Sequence, residues 1–102
     1  MAYRIERTAK ADEQLRDIVF YRAELTGSDA ALALLDRLEA GIGRLSAFPE
    51  CGAPPRYAAL RARGFRVLIV ETFLVFYKVA HGRKVVTVYA VADGRRDYLN
   101  LI

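Results

Sequence analysis

The sequence predicts an α+β fold, in which an N-terminal strand and an antiparallel two-helix hairpin pack on a mostly antiparallel sheet ending in a three-stranded meander. Apolar residues recur at three- and four-residue spacing from Ala11 to Leu45, and β-branched and aromatic residues crowd positions 65–92. A stretch rich in Pro and Gly separates these halves. At 102 residues, 54% of them apolar, the chain suffices for one core, so a single domain over residues 1–102 is expected.

Tyr3 to Arg7 alternates polar and apolar side chains and reads as a short strand, after which Thr8 is placed to cap a helix. Asp12 and Glu13 fall in that helix's first turn, where the positive end of the helix dipole favours acids. From Ala9 to Leu25 the positions Ala11, Leu15, Ile18, Val19 and Leu25 form one apolar stripe. Thr26-Gly27-Ser28 stops the helix, and Ser28 or Asp29 can cap a second one. Its stripe is Ala31, Leu34, Leu35, Leu38, Ile42 and Leu45, and Pro49 closes it. Gly41 and Gly43 each weaken its last turns by up to ~1 kcal/mol relative to Ala. So short a link makes the two helices antiparallel neighbours.

Phe48 to Arg63 contains Pro49, Gly52, Pro54 and Pro55 and is expected to be a loop, with Arg56, Arg61 and Arg63 as a basic rim. Three β-rich runs follow, Phe65 to Val70, Phe73 to Ala80 and Val85 to Ala92. Two-residue turns pair Val70 with Phe73 and, across the next hairpin, Ala80 pairs with Val85. Val67, Ile69, Leu74, Phe76, Tyr89 and Val91 then share one face, expected to meet the helices. The other face shows Arg66, Leu68, Val70, Phe73, Val75, Tyr77, Val86, Val88 and Ala90. With only two helices available, part of it is expected to stay uncovered as a binding surface.

The net charge of +4 is uneven. Residues 1–60 carry eight Lys/Arg against nine Asp/Glu, whereas residues 61–102 carry eight against three. The C-terminal portion thus suits an acidic partner. Tyr3 to Arg7 is a short charged segment unlike a secretory signal, and no apolar run approaches the ~20 residues of a membrane helix. A cytoplasmic location without membrane contact is expected. The lone Cys51 lacks metal-ligand spacing and a neighbouring base, so it reads as a spectator loop thiol, and neither metal nor cofactor is expected.

Three C-terminal segments resemble the RelE/ParE toxin superfamily of type II toxin–antitoxin and plasmid stabilisation systems. They are Gly64-Phe-Arg-Val-Leu-Ile-Val, Phe73-Leu-Val-Phe-Tyr-Lys-Val and Val88-Tyr-Ala-Val-Ala-Asp-Gly-Arg-Arg-Asp-Tyr98. The upstream strand and helices follow the same family's order. Val-Phe-Tyr-Lys-Val and Gly94-Arg95-Arg96-Asp97 are the most specific parts.

The resemblance implies a growth-inhibiting toxin silenced by a cognate antitoxin, which alone would bring it to operator DNA. ParE-like members inhibit DNA gyrase by binding, and RelE-like members cleave mRNA in the ribosome. RelE-like nucleases use basic residues of the second strand, a third-strand Arg, and an Arg with a Tyr after the last strand. Here Arg66 matches the first loosely, and Arg96 with Tyr98 match the last pair. Leu74 replaces the third-strand Arg.

The meander also places Arg66 and His81 at one end and Arg95, Arg96 and Tyr98 at the other, with His81 and Arg95 more than ~25 Å apart. His81 itself reads as an exposed turn residue beside Gly82. The expectation is therefore a ParE-like binder of gyrase acting through Arg95, Arg96, Asp97 and Tyr98. The alternative is a ribosome-dependent, metal-independent mRNA interferase using Arg66, Arg96 and Tyr98. A third is an inactive toxin-fold binding module or co-repressor. The antitoxin is expected on the sheet face bearing Leu68, Val75, Tyr77 and Val88.

Overall fold

The structure is a computed structural model that describes residues 2–95. A first strand, β1 (Arg4–Arg7), leads straight into helix α1 (Ala9–Thr26). Thr8 makes the join: its hydroxyl oxygen accepts from the Ala11 amide at 3.1 Å, which satisfies a donor that the helix leaves open. The same hydroxyl donates to the Tyr89 carbonyl at 3.2 Å and ties the helix start to the last strand. Asp12 accepts from Arg7 at 2.8 Å in the first turn.

One residue, Gly27, links α1 to helix α2 (Ser28–Gly43); its amide closes α1 on the Ala23 carbonyl. It takes the capping position expected of Ser28 or Asp29, and no side chain caps α2. Helical winding continues as a tight turn through Arg44–Ser46, short of Pro49.

A short third helix, α3 (Ala58–Ala62), interrupts the expected loop. Its Ala-Ala-Leu-Arg-Ala composition favours a helix once Pro54 and Pro55 are passed. The remaining strands are β2 (Arg66–Val70), β3 (Phe73–Ala80) and β4 (Val85–Asp93). They form a four-stranded sheet in the order β1-β4-β3-β2, with β1 parallel to β4 and the other pairs antiparallel. Val70 pairs with Phe73 and Ala80 with Val85, as the turn lengths predict.

The two faces are the reverse of those expected. Leu68, Val75, Tyr77, Val86 and Val88 pack with Ala11 of α1 and with Ile42 and Leu45. Phe73 joins Leu15, Leu34 and Leu38 in an adjoining cluster between the helices and the sheet. Gly41 permits the approach, since a Cβ there would lie 2.7 Å from Cγ2 of Val70.

Val67, Phe76, Ala90 and Ala92 occupy the other face with Leu60 of α3 and Phe65. That reverse side is therefore largely sealed by residues 57–65, although Ile69 remains 63% exposed. Alternation alone did not distinguish the faces because both are apolar. A bulge added a second error: Phe76 pairs with Ala90 and Tyr77 with Val88, so Tyr89 is an extra residue. Beyond it Ala90 and Val91 exchange sides, so Val91 meets the helices and Ala90 the other face, as expected for these two alone. Among the described residues no helix is long and apolar enough to cross a membrane.

Candidate functional site

The basic segment after β4 begins where Asp93 leaves its pairing with Phe73 and the Gly94 amide donates to the Thr72 carbonyl at 2.8 Å. Arg95 then folds back on Asp93. Its amide and Nε donate to one carboxylate oxygen at 3.0 and 3.1 Å, and its Nη2 donates to the other at 2.8 Å. These hydrogen bonds, and secondarily the carboxylate charge, hold the Arg95 guanidinium above the ordinary arginine pKa. The side chain is oriented by Asp93 but mostly solvent-exposed. Arg96, Asp97 and Tyr98, expected to act with it, lie outside the described residues.

Beside Arg95 runs a groove of about 760 Å³ lined by Ile18, Phe20, Tyr21, Leu25, Phe73 and Asp93 among others. Phe20, Tyr21 and Leu25 are each more than 60% exposed. Of these, Phe20 and Tyr21 lie off the expected α1 stripe, and that offset is the sequence signal for an outward apolar surface. The four residues expected to hold the antitoxin are not available for it. Leu68, Val75, Tyr77 and Val88 are all buried under the helices, which corrects the assignment made from alternation.

Arg66 starts β2 opposite Tyr77. Its Nη2 donates to the carbonyls of Glu50 and Gly52 at 2.8 and 2.6 Å, which pins the preceding loop to the sheet. Its Nε is buried without a hydrogen-bond partner.

His81 sits in the β3–β4 turn as expected, but it is not an isolated turn residue. Tyr3 Oη lies 2.8 Å from its Nδ1, and Glu50 Oε2 lies 3.3 Å from its Nε2. This arrangement was missed because its members are far apart in sequence and share no local pattern.

Leu74 is half-buried on the cluster formed by Leu60, Phe76 and Ala92. Arg66 and the start of the basic segment are four residue pairs apart along β3 and two strands across. That is about 13 Å along and about 10 Å across the sheet. His81 lies farther still, beyond Ala80. The structure thus brings Arg66 and His81 together and leaves Arg95 apart from both. Among the described residues no group of His, Cys, Asp and Glu side chains could hold a metal ion.

Residues 5–98 match the family model described as the ParE toxin of the type II toxin–antitoxin system parDE. The fold is similar to a chain of the chromosomal ParDE toxin–antitoxin system from P. aeruginosa. That match has a TM-score of 0.74 at 21% identity, covering 90% of this chain and 96% of the other. A chain of the toxin–antitoxin complex RelBE2 from Mycobacterium tuberculosis is also similar. Its TM-score is 0.63 at 19% identity, with coverage of 91% and 99%. No curated protein matches the chain significantly.

Proposed function

The chain belongs to the ParE toxin family of type II toxin–antitoxin systems, and from that premise we propose that it arrests growth by binding DNA gyrase rather than by cutting RNA. Leu74 carries this reading. Where the nuclease branch needs a guanidinium for the developing phosphate charge, this chain has an isobutyl group packed on Leu60 and Phe76. The separation of Arg66 from Arg95 supports the same choice. One phosphate needs converging cations, whereas a protein surface can be held by one exposed cluster.

Arg95, aimed by Asp93, begins the target-binding segment that Arg96, Asp97 and Tyr98 continue. In this reading the toxin works in the cytoplasm and a cognate antitoxin neutralises it. Phe20, Tyr21 and Leu25 on α1 give that antitoxin an apolar seat, and operator DNA is reached only through it.

In a supercoiling assay, purified toxin at a small molar excess should block gyrase. Full gyrase activity at a large excess would overturn the proposal. Primer extension on ribosome-bound message tests the nuclease branch, and discrete toxin-dependent cuts would favour it.

A further inference from the structure

A second basic site lies at the other end of the sheet, where the loop before α3, the start of β2 and the β3–β4 turn meet. A pocket of about 340 Å³ is lined there by Glu50, Arg61, Phe65, Arg66, Val79 and His81 among others. Arg61 reaches it from α3, Arg66 from β2 and His81 from the turn, so its nitrogen groups approach from three separate elements.

Neither arginine has a carboxylate within ion-pair distance among the described residues. Arg61 directs Nη1 to the carbonyls of Pro55 and Arg56, both at 2.8 Å, and Arg66 directs only Nη2 to the loop. The Arg66 Nε is buried and has no hydrogen-bond partner among the described residues, so the Nη atoms of the two arginines are the donors a ligand would meet. Two guanidinium groups without a carboxylate partner that line one pocket concentrate positive charge there, which an oxyanion would neutralise. Glu50 is the one acid in the lining, and it already lies against His81 at 3.3 Å.

The geometry points to a binding site for the phosphate group of a phosphate ester. A tetrahedral oxyanion presents acceptors in several directions at once, which suits guanidinium groups arriving from different elements better than a planar carboxylate does. Phe65 beneath them is buried, with Arg63 5.1 Å and Lys78 4.6 Å from its ring centroid, so recognition rests on the charge of the phosphate group rather than on stacking. This site is independent of the gyrase reading, which uses the opposite end of the sheet.

The test is an NMR titration of the full chain at constant ionic strength. The probes are inorganic phosphate, a nucleoside 5′-monophosphate and a short single-stranded oligonucleotide. Saturable shifts confined to residues 61–66 and 81 are expected. Arg61→Gln should weaken binding about tenfold or more with the fold intact, and Arg61→Lys should restore part of it.

Binding of inorganic phosphate and the monophosphate without the oligonucleotide supports a monoester site. Tighter binding of the oligonucleotide supports a backbone phosphodiester. Absence of saturable shifts with all three probes overturns the site, as does binding that Arg61→Gln leaves unchanged. Both arginines also bond to loop carbonyls, so a melt of Arg61→Gln accompanies the titration, and retention of binding by Arg61→Lys separates loss of charge from loss of the loop.

Discussion

The Gly52 amide donates to the buried phenol oxygen of Tyr77 at 3.0 Å, joining the proline-rich loop to the centre of the sheet. A Cβ on residue 52 would lie 2.6 Å from that oxygen and 2.5 Å from the Val67 carbonyl oxygen, so only glycine fits. Tyr77→Phe leaves the Gly52 amide buried without its acceptor and should cost about 1–3 kcal/mol in urea unfolding. Gly52→Ala should cost more, because backbone must move. An unchanged midpoint for Tyr77→Phe would show that the bond contributes nothing.

Val75 is fully buried beneath the helices, whereas Ile69 on the same hairpin is 63% exposed. Val75→Asp buries a charge without a partner and should remove several kcal/mol, enough to unfold most of a marginally stable domain. Ile69→Asp should leave the fold intact. Circular dichroism melts of the two variants give a direct comparison, and equal losses would contradict the placement of the faces.

Lys84 and Glu71 occupy the left-handed region with φ of 55° and 56°. Lys84→Gly relieves that crowding and should raise stability by up to about 1 kcal/mol, read from the unfolding midpoint. Glu71→Gly relieves similar strain but also removes the ion pair with Arg37, so its net gain should be smaller.

Arg95→Ala should change the melting temperature little, since the arginine side chain is 72% exposed and ion pairs of exposed groups contribute little to stability. Inhibition in the supercoiling assay should fall at least about tenfold, as expected for loss of one charge-assisted anchor. Undiminished inhibition would remove Arg95 from the target-binding segment.

Tyr21→Glu places a charge in the exposed patch on α1 and should weaken antitoxin binding about tenfold or more while the free toxin melts normally. Calorimetric titration with the antitoxin measures it, and unchanged affinity would place the partner elsewhere.

Much of the architecture was legible because local rules govern it. Thr8 caps α1 with its own hydroxyl, and the short turns fix Val70 against Phe73 and Ala80 against Val85. Face assignment was not legible, because alternating residues on both sides of β2 and β3 are apolar and nothing local reveals which side meets the hairpin.

The extra residue Tyr89 then reverses the sides of Ala90 and Val91, and a bulge of this kind has no fixed sequence signature. Replacement of the third-strand arginine by Leu74 was legible only through the resemblance to RelE-like nucleases, since a leucine in an apolar strand carries no signal of its own. The meeting of Tyr3, Glu50 and His81 depends on chain segments that only tertiary packing brings together.

Among the described residues the N-terminal strand has a single neighbour in the sheet, β4, to which it is bonded in parallel from Arg4↔Val85 to Arg7↔Val88. A polypeptide released from the ribosome N-terminus first must therefore hold β1 unpaired until β4 has emerged. Arg95 follows that closing strand directly, so a truncated translation product would lack both the completed scaffold and the cation it presents.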